Sequence, residues 1–503
     1  MASLESSESP GAAAREPSTR LVVGPFNRVE GDLEVRLTVV DGHVGRAEVT
    51  APMYRGFEAM LTGRDPRDAG VIVPRICGIC SVSQSVAAAR ALAGLAGAEP
   101  PANGVLAMNL MLATENLADH LTHFYLFFMP DFARPVYRAQ AWFDTVQERF
   151  AALAGTHARA ALAARARWFT LLGTLGGKWP HTHSIQPGGS SRAVDASERL
   201  RLLARVREFR AFLEETVFGS SLEEVSGLES VAALEAWRAR EPQRGDLRLF
   251  LRIADDLALA TLGAGPGRYL SHGAFADGEG RPAFAQGVFD LARGEVRAVP
   301  FERITEDATH AWLAGDAADA RHPRDGRTVP EADKPGAYTW NKAPRLAGQV
   351  VETGALARQL VQGHPLVRDY AARRGRGVAA RVLARLVEMA IVTPWAERWL
   401  AAMRPGEPFH LATPLPDEGF GVGLAEAARG ALGHWVNVQR GRIANYQIVA
   451  PTSWNFSPRD GAGTPGALES ALVGLPVPAG EAVPVAVQHV VRSFDPCMVC
   501  TVH

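Results

Sequence analysis

Four cysteines carry the most specific chemistry in this sequence of 503 residues: Cys77 and Cys80 in RICGIC, Cys497 and Cys500 in DPCMVCTVH. Each pair has the Cys-x-x-Cys spacing, and no thiol is left over as ordinary core filler. A chain of this length can bury its own core without disulfide staples, which leaves metal ligation or thiol redox chemistry for the two pairs. A closed, tetrahedral zinc site of four thiolates is one reading. A softer, redox-active metal is the other, because sulfur ligands select transition ions over hard cations. Zinc-ribbon pairs lie within a few tens of residues of each other, whereas most of the chain separates these two. Termini usually fray, so ligands placed this close to His503 imply that something holds the end down.

The elements that must bring the pairs together are legible in part. LVVGPFNRVEGDLEVRLTVVDGHVGRAEVTAPMYRG alternates apolar and polar residues around Asp41-Gly42, which predicts an N-terminal hairpin or small sheet. The Ala-rich run SVSQSVAAARALAGLAG predicts a helix opening directly after Cys80, with the first thiol pair at its N-terminus, where the dipole favours thiolate. From Gly104 the residues Leu106, Leu110, Ala113, Leu117, Leu121, Phe124 and Phe128 recur at helical spacing and read as a core stripe. Further helices are expected at 139–174, 195–217 and 377–404, the second opened by a capping pair, Asp195 with Glu198, ahead of Leu200, Leu203, Val206 and Phe209. Between about 265 and 345, Gly, Pro, Asp and short β-like runs suggest strands and loops set on a helical body. The fold class is therefore α+β, predominantly helical. If the two pairs share one site, residues 21–503 form one interlocked domain behind a disordered leader, 1–20.

Composition excludes several classes. Apolar residues make up 47% and the net charge is about -1 with both signs interspersed, so no basic face for nucleic acid is expected. No apolar run is long enough to span a membrane. The leader MASLESSESPGAAAREPSTR is polar and has no apolar core, unlike a secretory signal, which points to a cytoplasmic chain.

RICGIC and DPCMVCTVH together resemble the two signature motifs of the large, catalytic subunit of nickel-iron hydrogenases. NRVEGDL at 27, RGFEAMLTGRDPRDA at 55, DHLTHFY at 119, GGKWPH at 176, YTWNKAPR at 338, ARGALGHW at 428 and YQIVAPTSWNFSPRD at 446 extend the resemblance along nearly the whole chain. It implies a buried nickel-iron centre, with Cys77 and Cys497 as terminal nickel ligands and Cys80 and Cys500 bridging to an iron that carries cyanide and carbon monoxide. Arg429 would offset the cluster's negative charge, with Asp119 and Asp495 beside it. Pro451 and Thr452 would lie near the cyanides. Heterolytic cleavage of dihydrogen needs a base for the proton, and the resemblance assigns that to Cys497, with Glu30 as first relay. A magnesium ion would be held by His503, Glu58 and the backbone carbonyl of Ile448. His123, on an otherwise apolar helix, reads as a satisfied core residue.

Electrons need a partner, because all four cysteines are committed: the resemblance implies a small subunit bearing iron-sulfur clusters. Departures from the usual pattern are Gln84, where many relatives have His; Ala428, before the Arg; and Asp32, where RVEGH would end in His. The sequence also ends at His503 without the extension that many relatives lose on maturation. Together these resemble the regulatory, hydrogen-sensing branch, whose members signal to a histidine kinase. A trimmed energy-conserving uptake hydrogenase is the alternative.

Overall fold

The hairpin forms because Asp41 and Gly42 both adopt positive φ, 49° and 72°, as a tight turn between twisted strands requires. Strands Glu34–Val40 and His43–Thr50 pair around it, and Thr19–Val23 adds in antiparallel register from Thr19 against Val39 to Val23 against Val35. Val35, Leu37, Ala47 and Val49 are buried, so one pleat face meets the core. The computed structural model describes residues 19–277 and 281–501. The leader therefore lies outside the described residues except for Thr19 and Arg20, which belong to the sheet.

Helices make up most of the body. Ser81–Ala96 opens immediately after Cys80, and Ala102–Thr122 continues into a wider turn, His123–Phe128. Leu110, Ala113, Leu117, Leu121, Phe124 and Phe128 are buried as the spacing predicts, while Leu106 is half-buried. The single helix expected over 139–174 is instead three: Phe143–Phe150, Thr156–Trp168 and Thr170–Gly176. The chain turns at Leu153, with φ 65°, and at Gly155 it passes so close to the preceding helix that a Cβ would lie 2.4 Å from the Arg149 carbonyl oxygen. The capping pair is present as expected: the Glu198 N–H donates to Asp195 at 2.7 Å and the Asp195 N–H to Glu198 at 3.1 Å, opening Ala196–Phe212. Leu202 takes the core position expected of Leu200, which is exposed. The long helix Val378–Ala402 matches 377–404.

The excursion consists of Arg268–Ala276, Pro282–Asp290 and Glu295–Arg297 in one sheet, and Ile304–Asp307 paired with Ala343–Leu346. A further meander, Gly419–Ala427, Gly430–Gln439 and Arg442–Val449, packs against the helix after Cys80. That contact is close. At Gly423 a Cβ would sit 1.8 Å from the Ala87 carbonyl oxygen, so only glycine lets strand and helix backbones approach this far. The last helix, Val485–Ser493, delivers the chain to Asp495, which is left-handed with φ 58°, and then to the turn Met498–Cys500. There the two ends of the molecule join: the Glu30 N–H donates to Pro496 at 3.3 Å and the Met498 N–H to Glu30 at 2.7 Å. Among the described residues, no helix is long and apolar enough to cross a membrane.

Candidate metal centre

The four thiols, from sequence positions more than 400 residues apart, share one buried pocket. Cys77 Sγ lies 3.3 Å from Cys497 Sγ, Cys80 Sγ is 3.2 Å from Cys500 Sγ, and Cys497 is 2.9 Å from Cys500. All four sulfurs fall within 4.8 Å of one another, and all are free thiols. Arg55 fixes the loop before the first pair by donating to the carbonyls of Arg75 at 2.8 Å and Ile76 at 2.6 Å. Cys80 is the N-cap of Ser81–Ala96. The Cys497 N–H donates to the Thr452 hydroxyl at 3.2 Å, and the Cys500 N–H to the Cys497 carbonyl at 3.0 Å.

The two thiols of the first pair differ at this helix terminus. Hydrogen bonds that the Cys80 thiol donates to Cys497, Cys500 and Cys77, together with burial, raise it. Burial also opposes ionisation of Cys77, but hydrogen bonds from the other three thiols take it well below its ordinary value. Burial raises Cys497 and Cys500. Four such sulfurs, gathered in one buried cluster, form the donor set of a soft metal, which would compensate the charge that burial otherwise suppresses.

A charged roof covers the thiols. Arg429 donates to Asp119 at 2.7 and 3.1 Å, to the Asp495 carboxylate at 3.1 Å and to its carbonyl at 3.0 Å. Burial opposes its charge, but Asp119, Asp495, Cys497 and Cys77 hold it firmly protonated. Burial raises Asp119 to about 7 against the pull of Arg429, while Arg429 and Arg385 overcome burial to lower Asp495. Beyond the roof the chain of charges continues inward. Arg385 reaches Asp495 at 3.2 Å, His120 meets Glu388 at 3.0 Å, and Arg358 bridges Glu388 at 2.7 Å to Glu426 at 2.6 Å. Sequence reasoning missed Arg358, Arg385, Glu388 and Glu426. A signal for two of them existed: Arg385 and Glu388 share one face of a helix whose composition is otherwise that of a core element, and buried charges are tolerated only when paired.

Residues 55–148 and 244–503 match the family model described as nickel-dependent hydrogenase. The chain belongs to that family. All four cysteines and the Arg429 roof fall within the matched segments, while Glu30 precedes them. The periplasmic [NiFeSe] hydrogenase large subunit of Desulfomicrobium baculatum is 30% identical over 97% of this chain and 96% of its own length. The uptake hydrogenase large subunit of Rhodobacter capsulatus is 29% identical over 96% and 95%. The solved Ni-Fe-Se hydrogenase of D. vulgaris Hildenborough superposes with a TM-score of 0.84 at 30% identity, covering 97% of this chain and all of that one. This hydrogenase chain has cysteine at all four positions, so its donor set is sulfur throughout.

The remaining expected residues fall into three places. Glu30 is half-buried and joined to Cys497 through a parallel bridge; burial and the charge of Cys77 raise its carboxyl. Pro451 starts the short helix Pro451–Asn455, and Thr452, by accepting from Cys497, keeps its own hydroxyl proton free to donate. Gln84 Oε1 accepts from His434 Nε2 at 2.8 Å, which leaves Nδ1 to accept from the Tyr446 hydroxyl at 2.8 Å.

Glu58 is a buried carboxylate rather than a solvated helix charge. It accepts from the Ile448 N–H at 2.8 Å, from the Gln447 amide at 3.2 Å and from the Thr328 hydroxyl. Lys342 stands 3.6 Å from Glu58 and 3.2 Å from Glu306, and these carboxylates more than offset the effect of burial on its charge. Glu58, Glu306, Thr328 and Thr501 line one small cavity together with Lys342, whose ammonium group pairs with both carboxylates. His503 lies outside the described residues; Thr501, two positions earlier, is at this cavity. His123 is a core residue as expected, bonded through Nε2 to the Arg492 carbonyl at 2.7 Å, and burial lowers it to about 3.

Proposed function

We propose that this hydrogenase large subunit binds a nickel-iron pair between Cys77, Cys80, Cys497 and Cys500 and cleaves dihydrogen heterolytically, with net release of two protons and two electrons. The convergence of the four sulfurs under a fixed arginine is the observation that carries this reading. When bound, the metal pair supplies the Lewis acid and the redox partner for the reaction. The protein's share is proton handling and charge. Cys497, a terminal thiolate on a turn, takes the proton, and Glu30, paired to its backbone, receives it with a carboxyl group already raised toward neutral pH. Arg429 stays charged and offsets the anionic cluster. Thr452 and Pro451 would face the cyanides of the iron, the threonine as donor. Asp119 and Asp495 orient the arginine.

The electrons leave through a small subunit carrying iron-sulfur clusters, since every cysteine of this chain is already engaged. A magnesium ion would take Glu58, His503 and the Ile448 carbonyl; metal analysis of a Glu58→Ala variant tests this and should show magnesium lost with nickel retained.

The relatives named above include a periplasmic and an uptake enzyme, which favours an energy-conserving role. A second reading, a cytoplasmic hydrogen sensor of slow turnover signalling to a histidine kinase, rests on Gln84. This amide cannot change charge, and it occupies His434 rather than carrying protons. Hydrogen uptake by wild type and Gln84→His separates the two roles: a slow wild type accelerated by the substitution supports the sensor, and a fast, unaffected one supports the uptake enzyme.

A further inference from the structure

Cys80 opens a helix of 16 residues, yet no side chain of the N-cap satisfies its first amides. Glu115, from the middle of the neighbouring helix Ala102–Thr122, does so instead. Its carboxylate accepts from the Val82 N–H at 2.7 Å, the Ser83 N–H at 2.9 Å, the Ser83 hydroxyl at 2.9 Å and the Ser81 hydroxyl at 3.4 Å. A fifth donor, the Trp179 indole N–H at 3.2 Å, reaches the same group from the loop after Gly176. Glu115 is 2% exposed, and among the described residues no cation forms an ion pair with it. Backbone and indole N–H groups can only donate, so the group that faces them must be an acceptor, which an ionised carboxylate is on both oxygens. Burial outweighs the pull of these donors and leaves its pKa raised to about 7.

A helix N-terminus carries roughly half a positive charge, which would draw electron density from the sulfur at its cap. A carboxylate fixed in that first turn opposes this pull. We propose that Glu115 is a positioning residue for the metal centre: it holds the first turn of the Cys80 helix against Trp179 and, by its buried charge, keeps the Cys80 sulfur electron-rich. This rests on the nickel-iron reading above and extends it to a residue that no motif of the sequence singles out. In the chain it stands in the stretch LMLATENLADH, where an isolated glutamate interrupts a core stripe.

The test is infrared spectroscopy of the purified complex of large and small subunits, reading the bands of the iron's cyanide and carbon monoxide. Glu115→Gln keeps the shape and removes the charge, so those bands should move to higher wavenumber. Ser83→Ala removes a donor that favours the ionised carboxylate, so they should move in the same direction by less. Glu115→Asp, which keeps the charge, should shift them less than Glu115→Gln. Bands of Glu115→Gln that coincide with wild type would overturn the proposal, even if amide exchange at Val82 and Ser83 accelerates, because that pattern describes a cap and nothing more. If Glu115→Gln fails to assemble, Ser83→Ala decides alone: bands unmoved or lowered count against it. A wild-type complex without such bands removes the underlying metal reading and this proposal with it.

Discussion

The two Cys-x-x-Cys pairs are the same motif held in opposite ways. The first sits between a loop clamped by Arg55 and a long helix capped from outside by Glu115. Regular secondary structure and two polar side chains position it. The second sits on a short irregular turn after a left-handed Asp495, and almost everything that fixes it is distant in sequence: the backbone of Glu30, the Thr452 hydroxyl, and Arg429 on Asp495. A lone left-handed aspartate costs about 1–2 kcal/mol, offset here by Arg429 and Arg385 on its carboxylate. The difference teaches that a metal centre can join a preformed ligand pair to one that is assembled only when the chain ends meet.

The largest expected effect tests whether the pairs are equal as ligands despite these different supports. Cys77→Ser and Cys497→Ser should each abolish hydrogen uptake and lose the metals, read by elemental analysis; retention of a full metal complement in either would break the symmetry. Next, Glu30→Gln should leave metal content intact and lower hydrogen turnover by about 10²–10⁴-fold, the usual range for a lost proton carrier. The Glu30 backbone is tied to the second pair, while its carboxyl feels Cys77 of the first.

Gly31→Ala strikes the second pair's anchor. Gly31 has φ 79°, and a Cβ there would lie 2.9 Å from the Val499 N–H nitrogen. The left-handed backbone alone costs about 1–2 kcal/mol, and the clash adds to it, so thermal stability should fall and amide exchange at 496–500 should rise while the Cys80 helix stays protected. The smallest effect is acidic. Asp131 ties Arg28 to Arg492 and His489 beside the second pair. Burial opposes its charge, but His489, Arg492 and Arg28 hold it well below the usual carboxylate range. A depressed folded value gives stability that is present above the unfolded value near 4 and is lost as pH falls below it. Melting temperature should therefore drop between about pH 4.5 and 3, and Asp131→Asn should flatten that drop.

The same contrast explains what the sequence made legible. The helix after Cys80, the Asp195 cap and the hairpin at Asp41-Gly42 are local, set by periodicity, capping chemistry and turn residues, and all three form as expected. The break at Leu153–Gly155 is also local, closed by the Gly155 N–H on the Ala151 carbonyl and the close pass by Arg149, but the helical spacing continues through it and masks it. In the centre, the cysteines were legible because nothing else uses cysteine. Glu115, Arg358, Arg385, Glu388 and Glu426 were not, since an isolated charge in an apolar stripe shows its partner only after folding.

The central claim is that sulfur from both ends of the chain holds two unlike metals. X-ray absorption at the nickel and iron edges of the purified protein tests it most directly. One nickel and one iron per chain are expected, nickel surrounded by four sulfurs and each metal visible in the other's scattering. Zinc alone in a closed shell of four sulfurs would contradict it.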